Sequence, residues 1–139
     1  MGYIIVTGAG SGLGRALTAG LVERGHRVAM MGRRYEKLQE QEDLLGQAVI
    51  GIAADLAHHE EVEMAFAAAV EWGGLPEMVI HCAGVGEFGP VGIYTAEQIR
   101  SVVESNLVST ILVAQQTVRL IGEKGGVLAN VLSSAAQVG

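Results

Sequence analysis

At 139 residues, half of them hydrophobic and only 4% aromatic, the chain can bury the core of one domain but not of two. Nine basic residues against fifteen acidic ones give a net charge of −6, and the basic residues are scattered, which excludes the positive stripe of a nucleic-acid binder. A single cysteine, Cys82, excludes an internal disulfide and any site built from several thiolates.

The chain opens with a short apolar run, residues 3–7, rich in β-branched side chains and ending at glycine, as a buried strand does. Residues 13–24 then place Leu13, Ala16, Leu17 and Leu21 at helical spacing, with Gly25 as the stop. Residues 27–31 form the second expected strand, 35–45 a charged one-sided helix, 48–53 the third strand, and 60–72 an alanine-rich helix. A fourth strand is expected over 77–81. Thr95, with Gln98 three residues on, has the pattern of a capping box. The helical pattern that follows, 96–121, exceeds one ordinary helix, so a break is expected near Ser105 and Asn106. A fifth strand is expected over 127–132. Apolar strands alternating with helices indicate a parallel sheet covered on both faces, an α/β doubly wound fold. No apolar stretch approaches eighteen residues and no charged segment precedes a long apolar run at the start, so the expectation is a cytoplasmic chain that avoids membranes.

The densest local signal is Thr7-Gly8-Ala9-Gly10-Ser11-Gly12-Leu13-Gly14-Arg15, between the first strand and the first helix. Glycines there allow a tight turn and let a pyrophosphate approach the backbone, while the helix's first amides and its dipole attract the negative charge. A plain strand–helix turn uses glycines too, but this position is the one a dinucleotide fingerprint requires. A phosphate-loop NTPase needs Gly-Lys-Ser/Thr at the loop's end, and Gly14 is followed by Arg15-Ala16.

With Thr7, Gly8, Gly12 and Gly14 in the spacing Thr-Gly-x-x-x-Gly-x-Gly, the sequence resembles the short-chain dehydrogenase/reductase family, from Tyr3 to the C-terminus. Asp55-Leu56 after the third strand is similar to the family's adenine-contacting acidic position. Ala83-Gly84 matches the second half of the family's Asn-Asn-Ala-Gly, whereas His81-Cys82 departs from the first half. That departure implies lost side-chain hydrogen bonding beside the central sheet, with His81 as a strand-end residue and Cys82 as a small hydrophobe. Asn106 resembles the family's tetrad asparagine and Ser133, in Asn130-Val131-Leu132-Ser133, its catalytic serine. The resemblance implies five strands in the order 3-2-1-4-5 and a cofactor held by Gly8, Ser11, Gly12, Leu13, Gly14, Arg33, Asp55, Leu56, Ala83 and Gly84. Adjacent His58 and His59 diverge on a helix and read as a solvated helix start, so no metal is expected.

Cofactor choice is read at the end of the second strand, where an acid binds the ribose 2′-hydroxyl of NAD and an arginine accommodates the 2′-phosphate of NADP. Gly32 stands at the acidic place and Arg33 follows, so NADP is expected over NAD, with Arg15 and Arg34 as secondary contacts. The family's chemistry on an alcohol/carbonyl pair also needs a tyrosine with a lysine four residues later. The chain's tyrosines, Tyr3, Tyr35 and Tyr94, are followed at that spacing by Thr7, Gln39 and Gln98. The expectation is therefore residues 1–139 as one incomplete nucleotide-binding domain, ending ahead of the tyrosine–lysine pair and inactive alone. A non-catalytic nucleotide-binding or assembly module is the alternative. An apolar edge at 127–132 and uncovered Leu107, Ile111, Leu112 and Val118 are expected to make it a homodimer.

Overall fold

The computed structural model describes residues 2–86 and 89–134. The first strand, β1 (Tyr3–Thr7), is buried along its whole length. Tyr3 and Ile5 join one apolar cluster and Ile4 and Val6 join another, because successive side chains of a strand leave on opposite faces. Strands β2 (Arg27–Gly32), β3 (Val49–Ala53), β4 (Met78–His81) and β5 (Val127–Asn130) complete a five-stranded sheet in the order β3-β2-β1-β4-β5. Every pairing is parallel, with Ile5 opposite Ala29 on one side and Val79 on the other.

Helices lie on both faces. Helix α1 (Gly12–Glu23) and helix α2 (Tyr35–Leu45) cover Ile4, Val6, Val28 and Met30, with Leu38 of α2 fully buried there. Helix α3 (His59–Gly73) and helix α5 (Ser109–Ile121) cover Tyr3, Ile5, Ala29, Met31 and Val79, using Val62, Phe66, Ala69 and Val113. Helix α4 (Ala96–Val103) starts from the expected capping box: Thr95 Oγ1 accepts from the Gln98 amide at 3.1 Å, and Gln98 Oε1 accepts from the Thr95 amide at 2.9 Å.

The expected interruption of the long helix is a π turn over Glu104–Val108, joining α4 to α5. Hydroxyls back-bond along it, Ser109 to the Ser105 carbonyl at 2.6 Å and Thr110 to the Asn106 carbonyl at 2.7 Å, an arrangement that bends helices. Two expectations are corrected. Strand β5 ends at Asn130 rather than at 132, where the chain leaves the sheet and Leu132 stands 83% exposed. Leu112 is not uncovered: it packs against the cluster around Phe66, while Leu107, Ile111 and Val118 on the other side of the same helical run are exposed.

Candidate cofactor cleft

Strand order reverses between β1 and β4, and in open α/β sheets that reversal opens a crevice at the carboxyl ends of the strands. The loop after β1 is built for close approach. Gly8 takes φ +64° and Gly12 φ +51°, backbone regions that L side chains rarely adopt. A Cβ on Gly8 would lie 2.8 Å from the Ala83 backbone, and one on Gly14 would collide with the Gly8 carbonyl. Two backbones therefore touch across the crevice, and helix α1 packs onto the loop it follows. Beside Gly12 the space is open.

Ser11 is the N-cap of α1 in extended conformation, and its side chain makes no capping hydrogen bond. The first turn of a helix has amides with no intrahelical partner. Left without a side-chain cap, those of α1 face the cleft as donors for an anion. This donor set, with a floor free of Cβ atoms, fits a dinucleotide's pyrophosphate.

The cleft brings together all ten residues that the sequence singles out for the cofactor: Gly8, Ser11, Gly12, Leu13, Gly14, Arg33, Asp55, Leu56, Ala83 and Gly84. Asp55 closes its own turn, accepting from the Ala57 amide at 3.1 Å, and Leu56 sends its side chain into the core while its backbone borders the cleft. Arg33 and Arg34 line the cleft beyond Gly32, and among the described residues neither enters an ion pair. Arg15, the other secondary candidate, is held away by Glu40 at 3.2 Å and does not line it. Glu40 also accepts from Lys37 at 2.6 Å, and that hydrogen bond first, then Arg15, lowers its carboxyl pKa.

Asn106 stands beside the cleft rather than in its lining. Its Oδ1 accepts from the Val85 amide at 2.9 Å and its Nδ2 donates to the Val85 carbonyl at 2.7 Å, a two-bond clamp on the loop after β4. Gly84 makes room for it, since a Cβ there would come within 2.7 Å of Asn106 Oδ1. Ser133 lies past the end of β5, exposed, and is not part of the lining.

Sequence reasoning missed Ser105 and Ser109, which line the cleft from the long helix. Their spacing of four residues around Asn106 puts them on one helical face, and that signal was available. The hydrogen bonding expected to be lost at His81 is present. Buried His81 bonds Thr7 Oγ1 at 2.7 Å through Nδ1 and Ser109 Oγ at 3.4 Å through Nε2. Burial lowers its pKa from the usual histidine value. Burial raises the Cys82 thiol, so that side chain stays protonated at neutral pH and acts as a small wall of the cleft. Among the described residues no three His, Cys, Asp or Glu side chains gather to hold a metal, and no helix is long and apolar enough to cross a membrane.

Residues 2–139 match the family model for short chain dehydrogenases. The chain belongs to this family. Members bind NAD or NADP, and the curated relatives include an oxidoreductase of Staphylococcus aureus, 34% identical over 132 residues, covering 93% of this chain and 57% of the relative. Carbonyl reductase family member 4 of Danio rerio is 29% identical over 128 residues, covering 91% of this chain and 54% of the relative. Among solved structures, a short chain dehydrogenase/reductase family oxidoreductase of Aeromonas hydrophila superposes with TM-score 0.87 at 72% identity, covering 99% of this chain and 66% of that one. A serine dehydrogenase complexed with NADP+ superposes with TM-score 0.91 at 25% identity, covering 97% of this chain and 55% of that one. The chain thus spans little more than half the length of the curated relatives it matches.

Proposed function

We propose that the chain is the NADP(H)-binding part of an oxidoreductase acting on an alcohol/carbonyl pair. The observation that carries the cofactor choice is the pair Arg33 and Arg34 at the cleft, free of ion pairs among the described residues, with Gly32 where a carboxylate would select NAD. Arg33 takes the 2′-phosphate through a charge-assisted pair, with Arg34 adding positive field. Gly8, Ser11, Gly12, Leu13 and Gly14 hold the pyrophosphate on the amides of α1. Asp55 and Leu56 border the adenine, and Ala83 and Gly84 wall the inner end. When bound, the cofactor supplies or accepts a hydride.

Of the proton-handling residues, Asn106 positions the loop wall through Val85, and Ser133 is the substrate-oxygen donor by family resemblance. No tyrosine of these 139 residues has a lysine four positions on, so no activated general acid is present. Loss of such a group typically costs about 10²–10⁴-fold in rate. Residues 1–139 alone, a single nucleotide-binding unit in this reading, therefore bind cofactor without turnover. Substrate chemistry belongs to a longer or complemented form, in the cytoplasm, without nucleic acid or membrane as partner.

Exposed Leu107, Ile111 and Val118 together with the open edge of β5 favour a homodimer, since large apolar patches are uncommon on monomers. The proposal is tested by NADPH fluorescence on adding the protein: enhancement reversed by NADP+ but not by equal NAD+ is expected. Reversal by NAD+ at the same concentration would overturn the assignment of NADP. A panel of aldehydes and ketones with NADPH should give background rates, and robust turnover abolished by Ser133→Ala would refute the claim of inactivity.

A further inference from the structure

The hydroxyl of Thr7, at the end of β1, accepts hydrogen bonds from the amides of Cys82 and Ala83, both at 3.2 Å. With both lone pairs engaged, its proton is left to be donated, and His81 Nδ1 stands 2.7 Å away. His81 Nδ1 is then an acceptor, and a neutral imidazole with an acceptor at Nδ1 carries its proton on Nε2. The other end of the ring leads to the same assignment independently. Ser109 Oγ donates to the Ser105 carbonyl at 2.6 Å, so toward His81 Nε2, at 3.4 Å, it has lone pairs to offer and no proton. One directed chain results: the amides of Cys82 and Ala83 to Thr7, Thr7 to His81, His81 to Ser109, and Ser109 to the π turn that also carries Asn106.

We propose that His81, as the neutral Nε2–H tautomer, is a positioning residue that couples the two walls of the cleft: the loop after β4 and the π turn of the long helix. The same loop is gripped from its other end by Asn106 on Val85, so two bridges run between loop and π turn, one through each side. An imidazole is long enough to reach both β1 and α5, and in this tautomer it presents an acceptor to one and a donor to the other. Protonation would make both nitrogens donors, turning one onto a Thr7 oxygen whose lone pairs are filled. The groups facing the ring from β1, α5 and the π turn are the hydroxyls of Thr7 and Ser109. The Cys82 thiol is next in the chain, and burial lowers the pKa of the ring and raises that of the thiol.

The test uses the 139-residue chain, with three variants. Nitrogen-15 NMR of the imidazole should show His81 with bare Nδ1 and protonated Nε2, its charging displaced below the ordinary histidine value of about 6.5. Ser109→Ala removes only the acceptor at Nε2, and His81→Phe keeps the volume without either bond. Both should speed amide exchange at Cys82, Ala83 and Val85 by roughly fivefold to tenfold, as expected for one lost neutral hydrogen bond. His81→Gln, which can donate and accept, should restore part of the protection. A protonated Nδ1, titration of His81 at the ordinary histidine value of about 6.5, or unchanged exchange in a folded Ser109→Ala would overturn the proposal. The role assigned to these walls rests on the cofactor reading above, but tautomer and exchange are read without cofactor. Absent NADPH binding with the predicted tautomer and exchange would fail the cofactor reading alone.

Discussion

The two flanks of strand β1 are built to different standards. On the side of β2 and β3 helices close over both faces of the sheet, although β3 is itself an edge strand: Val28, Ala29, Met30 and Met31 are fully buried. On the side of β4 and β5 it is open: Val127 is about half exposed at the edge, and α5 buries Val113 and Thr117 but leaves Ile111 and Val118 outside. The cofactor cleft lies where these halves meet, with its phosphate loop on the closed half and its other wall, the β4 loop and π turn, on the open one. The difference is one of construction: the glycine loop after β1 is fixed by close backbone packing at Gly8 and Gly14, whereas the loop after β4 is held by side-chain hydrogen bonds from Thr7 and Asn106.

The largest expected effects therefore fall on the closed side and at the core it shares. Phe66→Ala, deep between α3 and the sheet, should cost about 3–5 kcal/mol, read as a shift in the urea midpoint. Val127→Ala at the open edge should stay within about 0.5 kcal/mol. Similar losses at both sites would erase the contrast. Next in size, Gly14→Ala drives a methyl into the Gly8 carbonyl and should cost about 1–3 kcal/mol together with cofactor binding. An unperturbed Gly14→Ala variant would mean that the loop yields more readily than its packing implies.

The closed half was also the more legible one. The short apolar runs Ile4-Ile5-Val6 and Val28-Ala29-Met30-Met31, each ending near glycine, have the length of strands buried on both faces, and glycines flanking α1 announce a turn whatever lies around them. The ten cleft-lining positions could be named because each lies at or soon after the carboxyl end of a strand, a place that chain order determines. What stayed hidden depends on contacts between distant elements. That His81 bonds Thr7, 74 residues away, follows from the register of β1 with β4, and Ser109 reaches it only because α5 crosses that strand end. The capture of Arg15 by Glu40 likewise needs α1 and α2 side by side, and charge pattern alone does not give it. The end of β5 was overrun by two residues because Val131 and Leu132 are as strand-prone as the residues before them.

Smaller effects sharpen the boundary between the halves. Burial lowers the folded-state pKa of His81 below the ordinary value of about 6.5, so unfolded chains bind its proton first as pH falls. Its contribution is complete above that value and drains away as pH drops toward the folded pKa. The urea midpoint should fall between pH 7.5 and 5.5 in the parent chain and less steeply in His81→Asn, and parallel slopes would exclude the linkage. Smallest in stability is Val118→Ser, which should leave the urea midpoint nearly unchanged. It should nonetheless shift light scattering at micromolar concentration from dimer toward monomer. A parent chain that is already a clean monomer would show that the exposed face of α5 needs no second copy.

The central claim, that this cleft holds NADP(H) by way of the arginines past β2, is tested most directly by calorimetric titration of NADP(H) and NAD(H). The parent chain, Arg33→Ala and Gly32→Asp should be compared. Gly32 has an ordinary backbone, and a Cβ there would meet Leu38 at 3.6 Å, an ordinary van der Waals contact, so the position admits a Cβ. The parent should prefer NADP(H), Arg33→Ala should lose roughly tenfold in that preference, about 1.4 kcal/mol, and Gly32→Asp should reverse it. Equal affinities in the parent, or a preference untouched by both substitutions, would contradict the account.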